Sequence, residues 1–539
     1  MQRRIYLSQI RLNEKRLHHF SLLTHRQKNE LNDFDQCNFM IRLFRLYRLE
    51  GIVFCTGAII LVLEIAGSRV FAPYLGTSIF IWTSLIGIIL ASLSLGYHLG
   101  GKLADKNPNY KTFASILFFS GVAVLFLTLI KTPFLTFVRY TFTDIRLAAL
   151  ISTIVLFGPA STLLAMASPY AVRLKLNTIE MSGKTIGNLY AISTVGSIVG
   201  TFLTGFVLFS YFHLTHILFS LAILLFILSF IAASSYRRVH TLILLLFCAG
   251  SMIVSSEAQA LLQQNGIIVR ESPYQHIEVY TQDTYREQNR KTRVMRTGTG
   301  GTQSAMFLDA PDELVFSYAK MFRLAEYTTP NIQSGLIIGG GVHSYTKHFL
   351  NTYASSSLDV AEIDPVLTEL AREYFFLTDS PRLRLADEDG RTFLQHQDKT
   401  YDVVYLDAFR SNNNIPFHLT TKEFFDEIDV HLNENGTLIV NMISAFEGEK
   451  SEFFWAVFGT LSQTYPQVYA FQVQDEKAPD ERQNILLLAT KNIAPFSFDN
   501  ETEFQQLFET RYTGDLLLDL PPLTDEFAPV DHYTRHLQI

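Results

Sequence analysis

Three acidic residues stand where a sheet-borne ligand would meet them: Glu362, Asp389 and Asp407, each just past a strand-like run. Upstream of the first lies Gly339-Gly340-Gly341, directly after the apolar run Leu336-Ile337-Ile338. Glycines in that place let the backbone approach a ligand closely. Glu362 follows the last of them by 21 positions, the spacing of an acid that accepts hydrogen bonds from ribose hydroxyls. Asp389, with the backbone around Gly390, can accept from an adenine amino group, and Asp407 is placed to face the reacting end of the ligand. Taken singly, Asp389 and Asp407 read better as helix N-caps or turn formers. Three acids at successive strand tips of one sheet favour a site.

Such acids need a scaffold. Gly335 to Asp364 reads as strand, glycine turn, helix (345–350) and strand (358–361), the βαβ unit that holds a nucleoside. A helix over 365–376, strands over 382–386 and 401–406, a helix over 421–432 and a strand over 436–441 continue the alternation. This predicts a parallel sheet with helices on both faces and its ligand at the carboxyl ends of the strands. Residues 267–310 alternate around a turn at 296–301, which predicts a small antiparallel sheet, and a helix follows over 312–326.

The first half is of another kind. Hydrophobic residues make up 48% of the 539-residue chain and concentrate there, in runs long enough for roughly 20-residue bilayer crossings. About seven spans are predicted, near 51–75, 79–101, 112–130, 147–172, 187–211, 214–234 and 239–255. The domains are then a basic tail (1–48), a helical membrane bundle (49–256), a small β-domain (257–310) and an α/β domain (311–539). Gly196, Gly200 and Gly205, with Gly96, Gly100 and Gly101, have the spacing that lets helix backbones touch. Glu64 and Arg69, ionisable groups in or at the end of the first span, read equally as a functional pair or as a local lock on the helix end.

A net charge of −7 without a basic face beyond the tail argues against a nucleic-acid partner. The three cysteines, Cys37, Cys55 and Cys248, all precede residue 249, so the C-terminal half holds no disulfide or thiolate zinc site. Basic residues in the tail and at 102–111, 173–184 and 237–238 place the N-terminus in the cytoplasm of a multi-pass cell-membrane protein. Seven spans would then put residues 257–539 outside, where a cytosolic nucleoside is missing. The sequence leaves that conflict open.

Residues 267–445 resemble the catalytic region of the polyamine aminopropyltransferases (spermidine synthases), and the whole chain resembles their membrane-fused branch. The resemblance rests on Tyr274-Gln275-His276-Ile277, Gly339-Gly340-Gly341, Glu362-Ile363-Asp364-Pro365, Asp389-Gly390-Arg391, the run 401–407, Ile415-Pro416 and the run 523–530. It implies an α-helical membrane bundle followed by an α/β Rossmann-like, class I methyltransferase-type domain with a small N-terminal β-sheet. The implied ligand is decarboxylated S-adenosylmethionine, or a relative such as S-adenosylmethionine or methylthioadenosine, with no metal. Gln275 would contact the nucleoside, Glu362 the ribose, Asp389-Gly390 the adenine, and Asp407 would help deprotonate the attacking amine. Arg410 and Pro416 fall on the side of the acceptor.

Three departures qualify the likeness. Val342 follows the glycines where the family places an acid for the donor's propylamine. Phe316-Ser317 stands for a Tyr-His pair. Arg410 replaces the second acid of the 401–407 motif, repels a dicationic acceptor and offers a fork suited to a carboxylate, unless it is a solvated loop charge. The expectation is that classical putrescine chemistry is impaired and that a carboxylated donor is favoured. His343 reads better as a helix cap than as a base. Aminopropyl transfer to an amine leads; methyl transfer on the same fold and a non-catalytic nucleoside- or polyamine-binding sensor or transport partner are the alternatives. The partners are a small amine acceptor and the lipid bilayer, and a homo-oligomer is compatible with the sequence.

Overall fold

Long apolar runs with few breakers fold the first half into helices. The computed structural model describes residues 47–537 except 77, 143, 177–181, 234–237, 265, 273, 286–288, 298–300, 409–414, 475, 494–503 and 515–518. Its bundle is built from α1 (Tyr47–Leu75), α2 (Ile79–Lys106), α3 (Tyr110–Thr141), α4 (Ile145–Leu156), α5 (Gly158–Ala165), α6 (Ala167–Lys175), α7 (Ser182–Leu203), α8 (Leu214–Ala232) and α9 (Arg238–Gln264). Buried aliphatic and aromatic side chains from α1, α2, α3 and α8 form one core. Backbones touch where the small residues predict it. A Cβ on Gly196 would lie 2.1 Å from Phe54 O on α1, and one on Gly96 would lie 2.3 Å from Thr162 O on α5. Gly101 and Gly205 instead have nothing within 4 Å of that position and take no part in the packing.

The sequence predicts seven spans. Among the described residues five helices are long and apolar enough to cross a membrane, or six if the pair Ile145–Leu156 and Gly158–Lys175, bent by 46°, is one span. Pro159 sits at that bend, where its ring and missing N–H interrupt the helical ladder. The span expected at 239–255 lies in α9, where Leu244–Val254 is an apolar stretch among the described residues. Because α9 runs on to Gln264, the domain boundary expected at 257 falls inside a helix.

The small sheet is an antiparallel meander of β1 (Ile268–Glu271), β2 (His276–Gln282), β3 (Thr292–Thr297) and β4 (Thr302–Phe307). Two short helices, Ser317–Met321 and Leu324–Thr328, replace the single helix expected over 312–326. The second sheet comprises β5 (Ser334–Ile338), β6 (Ser357–Ala361), β7 (Leu383–Ala386), β8 (Tyr401–Leu406), β9 (Leu432–Ser444), β10 (Gln467–Gln472) and β11 (Gln483–Thr490). Its order is β10-β11-β9-β8-β5-β6-β7. β9, β8, β5, β6 and β7 are parallel, as expected, but β11 pairs antiparallel with β9 and β10, so the sheet is mixed. The near-continuous apolar runs of β5 and β8 reflect burial on both faces.

Two contacts tie this domain to one end of the bundle. Arg69 Nη1 of α1 donates to Ser272 O at 3.0 Å, and the first amide of α2, Ile79 N–H, donates to Asp531 Oδ2 at 3.0 Å. At the opposite end Lys175 pairs with Glu50, and Arg173 with Asp105 at 3.5 Å.

Candidate active site

Chain direction reverses around β5: the crossovers to β6 and β7 run one way, and those to β8 and β9 the other. Open sheets leave a crevice at that point. Here it is a cavity of about 330 Å³. Gly339, Gly340 and Gly341, Glu362, Asp389, Gly390 and Asp407 all line it, as do Gln275 and Pro416. Arg410 lies outside the described residues.

The glycine turn is dictated by geometry. Gly339 has φ +93°, and a Cβ there would lie 2.6 Å from Asp407 O, so a side chain is excluded at the cleft floor. Glu362, almost wholly buried, is fixed at the tip of β6 by two backbone donors. Gly341 N–H reaches Oε2 at 2.9 Å and Asp364 N–H reaches Oε1 at 3.0 Å. A carboxylate oxygen keeps further lone pairs, so ribose hydroxyls can still donate to it.

Gln275 reaches the cavity wall with its amide already engaged: Nε2 donates to Asp364 Oδ2 at 2.9 Å. Its buried Oε1 has no hydrogen-bond partner among the described residues. An orphaned acceptor beside a glycine cradle fits a ligand rich in hydroxyl and amino donors. Asp389 is also the helix N-cap that the alternative reading expects. Its Oδ1 accepts from Arg391 N–H and Thr392 N–H, both at 3.1 Å, and its Oδ2 lies 2.9 Å from His418 Nε2. Burial pushes its pKa upward, but the His418 and backbone hydrogen bonds outweigh this and hold it below the usual carboxylate range. It is thus a braced anion of the wall.

Asp407 differs. Its Oδ2 accepts from the Tyr318 hydroxyl at 3.1 Å, and its Oδ1 from Asn441 Nδ2 at 2.7 Å. Asn441 Oδ1 accepts in turn from Asn484 Nδ2 at 3.1 Å, which fixes the direction of the amide. Burial pushes the Asp407 carboxyl up to about 7, against the lowering effect of those two bonds and with help from Glu362. A carboxylate poised there can take a proton near neutral pH.

Sequence reasoning missed Tyr318, Asn441, Asn484 and His418. Asn441 left a signal, as one amide inside the apolar run of β9. Tyr318 lies one residue beyond Phe316-Ser317 and stacks on Phe316 at 5.7 Å, so a phenol does reach the site although the expected Tyr-His pair is absent. Val342 is buried in the cluster of Ile277, Val279 and Met295 and does not itself line the cavity. His343 takes the helix N-cap position but makes no side-chain cap. Its ring lies instead in the core, between Thr346 at 3.2 Å and Thr368 at 3.4 Å, and burial lowers it to about 4. The cap expected of its side chain is corrected: at φ +58° the ring turns inward.

Residues 316–474 match the family model of the spermine/spermidine synthase domain. A polyamine aminopropyltransferase of Vibrio vulnificus is 29% identical over 211 residues, 38% of this chain and 66% of that protein. A probable polyamine aminopropyl transferase of Bifidobacterium longum is 35% identical over 122 residues, 22% of this chain; the chain spans only 26% of that relative. A polyamine aminopropyltransferase of Oceanobacillus iheyensis is 26% identical over 447 residues, 78% of this chain and 81% of that protein, so its likeness extends into the helical half. Among solved structures, a probable spermidine synthase from Corynebacterium glutamicum aligns with a TM-score of 0.39 and 20% identity, over 45% of this chain and 86% of that one.

Proposed function

We propose, from the membership of this chain in the polyamine aminopropyltransferase (spermidine synthase) family, a family of transferases, that its cavity transfers an aminopropyl group from decarboxylated S-adenosylmethionine to an amine. The observation that carries this reading is Asp407, held by Tyr318 and Asn441 in the cavity that Glu362 and the glycine turn also line. In the reaction the lone pair of a neutral amine attacks the carbon bound to the sulfonium. The C–S bond breaks with its electrons passing to sulfur, a neutral thioether leaves, and the proton released by the new ammonium passes to Asp407. Glu362 anchors the ribose, Gln275 Oε1 accepts from the nucleoside, and Gly339–Gly341 admit it to the floor of the cleft. The helical half is proposed to lie in a bilayer, on the strength of its apolar helices.

A second reading is methyl transfer from S-adenosylmethionine, favoured by one observation: Val342, where the family's tail-holding acid stands, is buried among apolar side chains. Mass analysis of the product from the full chain in detergent, given each donor in turn, separates the two. An aminopropylated amine with the decarboxylated donor supports the first reading. A methylated acceptor with the carboxylated donor alone overturns it.

A further inference from the structure

Resting on that reading, we infer that the helical bundle completes the nucleoside site, with Arg69 of α1 as the positioning residue that joins the two. Arg69 stands in the apolar half of the chain, yet it donates to Ser272 O of the catalytic half at 3.0 Å, across 203 positions of sequence. Its guanidinium also lies 5.1 Å from the centre of the Phe209 ring, which steadies the planar fork from the bundle side.

What Arg69 grips is a hub. The Ser272 hydroxyl accepts from Tyr274 N–H at 3.1 Å and Gln275 N–H at 3.0 Å, and donates to Asp364 Oδ2 at 2.7 Å. Tyr274 and Gln275 are cavity walls. Asp364 is fully buried and receives Gln275 Nε2 on the same oxygen, while its own N–H holds Glu362. Among the described residues the hydrogen-bond donors to Asp364 are neutral: a hydroxyl, an amide and the Val366 N–H. A buried carboxylate with only neutral donors is poorly compensated. Arg69 is a cation within electrostatic range of it, as it is of Glu271. The bundle therefore supplies charge and a hydrogen bond at the point from which both nucleoside-facing residues, Gln275 and Glu362, are aligned.

Glu64, on the same helix, is not the group to which Arg69 Nη1 donates. The cation of the first span thus serves the neighbouring domain, and of the two readings of the pair the lock on the helix end gives way to a bridge between the two halves.

The test uses the full chain in detergent and the variants Arg69→Gln, Asp364→Asn and the double variant. Calorimetry with decarboxylated S-adenosylmethionine is expected to show about tenfold weaker binding for Arg69→Gln, with kcat changed by less than about twofold, the split expected of lost positioning. In the double variant the Arg69 effect should shrink to about twofold, because the charge it offsets is gone. Hydrogen exchange at the Gln275 amide, which needs no ligand, should accelerate in Arg69→Gln while the β5 amides keep their protection. Unchanged exchange at Gln275, or additive effects in the double variant, would overturn the inference. Absence of donor binding by the unaltered chain would instead sink the proposed function and leave the exchange result to decide the role of Arg69.

Discussion

Replacing Asp407 by Asn separates charge from shape in a single step. Asn has nearly the same outline and can still accept from Asn441 while its own amide faces the Tyr318 oxygen, so the site should stay assembled. Burial raises the Asp407 carboxyl from 3.8 to about 7, a difference on the order of 4 kcal/mol. The carboxylate borders an open cavity, and solvent screening leaves about half of that, roughly 2 kcal/mol. The native state binds this proton more tightly than the unfolded chain does. The destabilisation is therefore absent below the unfolded value near 4, grows as pH rises, and is complete above about 7. Asp407→Asn should consequently resist thermal unfolding better than the parent chain at pH 8 and equal it at pH 4. Its transfer rate should fall by about 10²–10⁴, the range for loss of a general base. In the parent chain kcat/KM should climb about tenfold per pH unit to a plateau near 7, and the variant should lose that limb. Mass-detected transfer and calorimetric melting across pH 4–9 provide both readouts. A variant that keeps its activity within about threefold would refute the role given to Asp407, whatever its melting temperature.

Other perturbations address neighbouring parts of the argument. Tyr318→Phe removes a hydrogen bond that holds the Asp407 pKa down, so the acid limb of kcat/KM should move to higher pH; a limb that stays put would detach Tyr318 from the base. Gly339→Ala forces a side chain into φ +93° and against Asp407 O, at about 1–3 kcal/mol of strain, and should weaken nucleoside binding in calorimetry at least about tenfold. Unaltered affinity would mean that the turn does not meet the ligand. In the bundle, Gly196→Val places its Cβ against Phe54 O and should lower the melting temperature in detergent, whereas Gly205→Val, with open space around it, should not. Equal effects would show that the small-residue contacts are not what holds α1 to α7.

Much of this site could be read from the chain because its scaffold is local. The run Leu336-Ile337-Ile338, the glycines and Glu362 sit within one βαβ unit, where periodicity and spacing carry the geometry. The acids at later strand tips follow from the same alternation. What escaped depends on distant pairing. Gln275 meets Asp364 across 89 positions, and the Tyr318 hydroxyl reaches Asp407 across another 89, through a short helix with no periodic signature. β11 is almost uniformly apolar, so its alternation gives no clue that it runs antiparallel to β9.

The docking of the C-terminal half on Arg69 and Ile79 also sets a distance. Along α1, Tyr47 and Arg69 are separated by about 33 Å at 1.5 Å per residue, close to the roughly 30 Å thickness of a hydrocarbon layer. With α1 crossing a bilayer, the basic tail that enters at Tyr47 and the cavity that rests near Arg69 stand in different compartments. Thiol labelling of single cysteines placed in the tail and at the Asp531 end would then report opposite sides. Such a protein could be addressed from one compartment by partners of its tail while it meets its small-molecule substrates in the other.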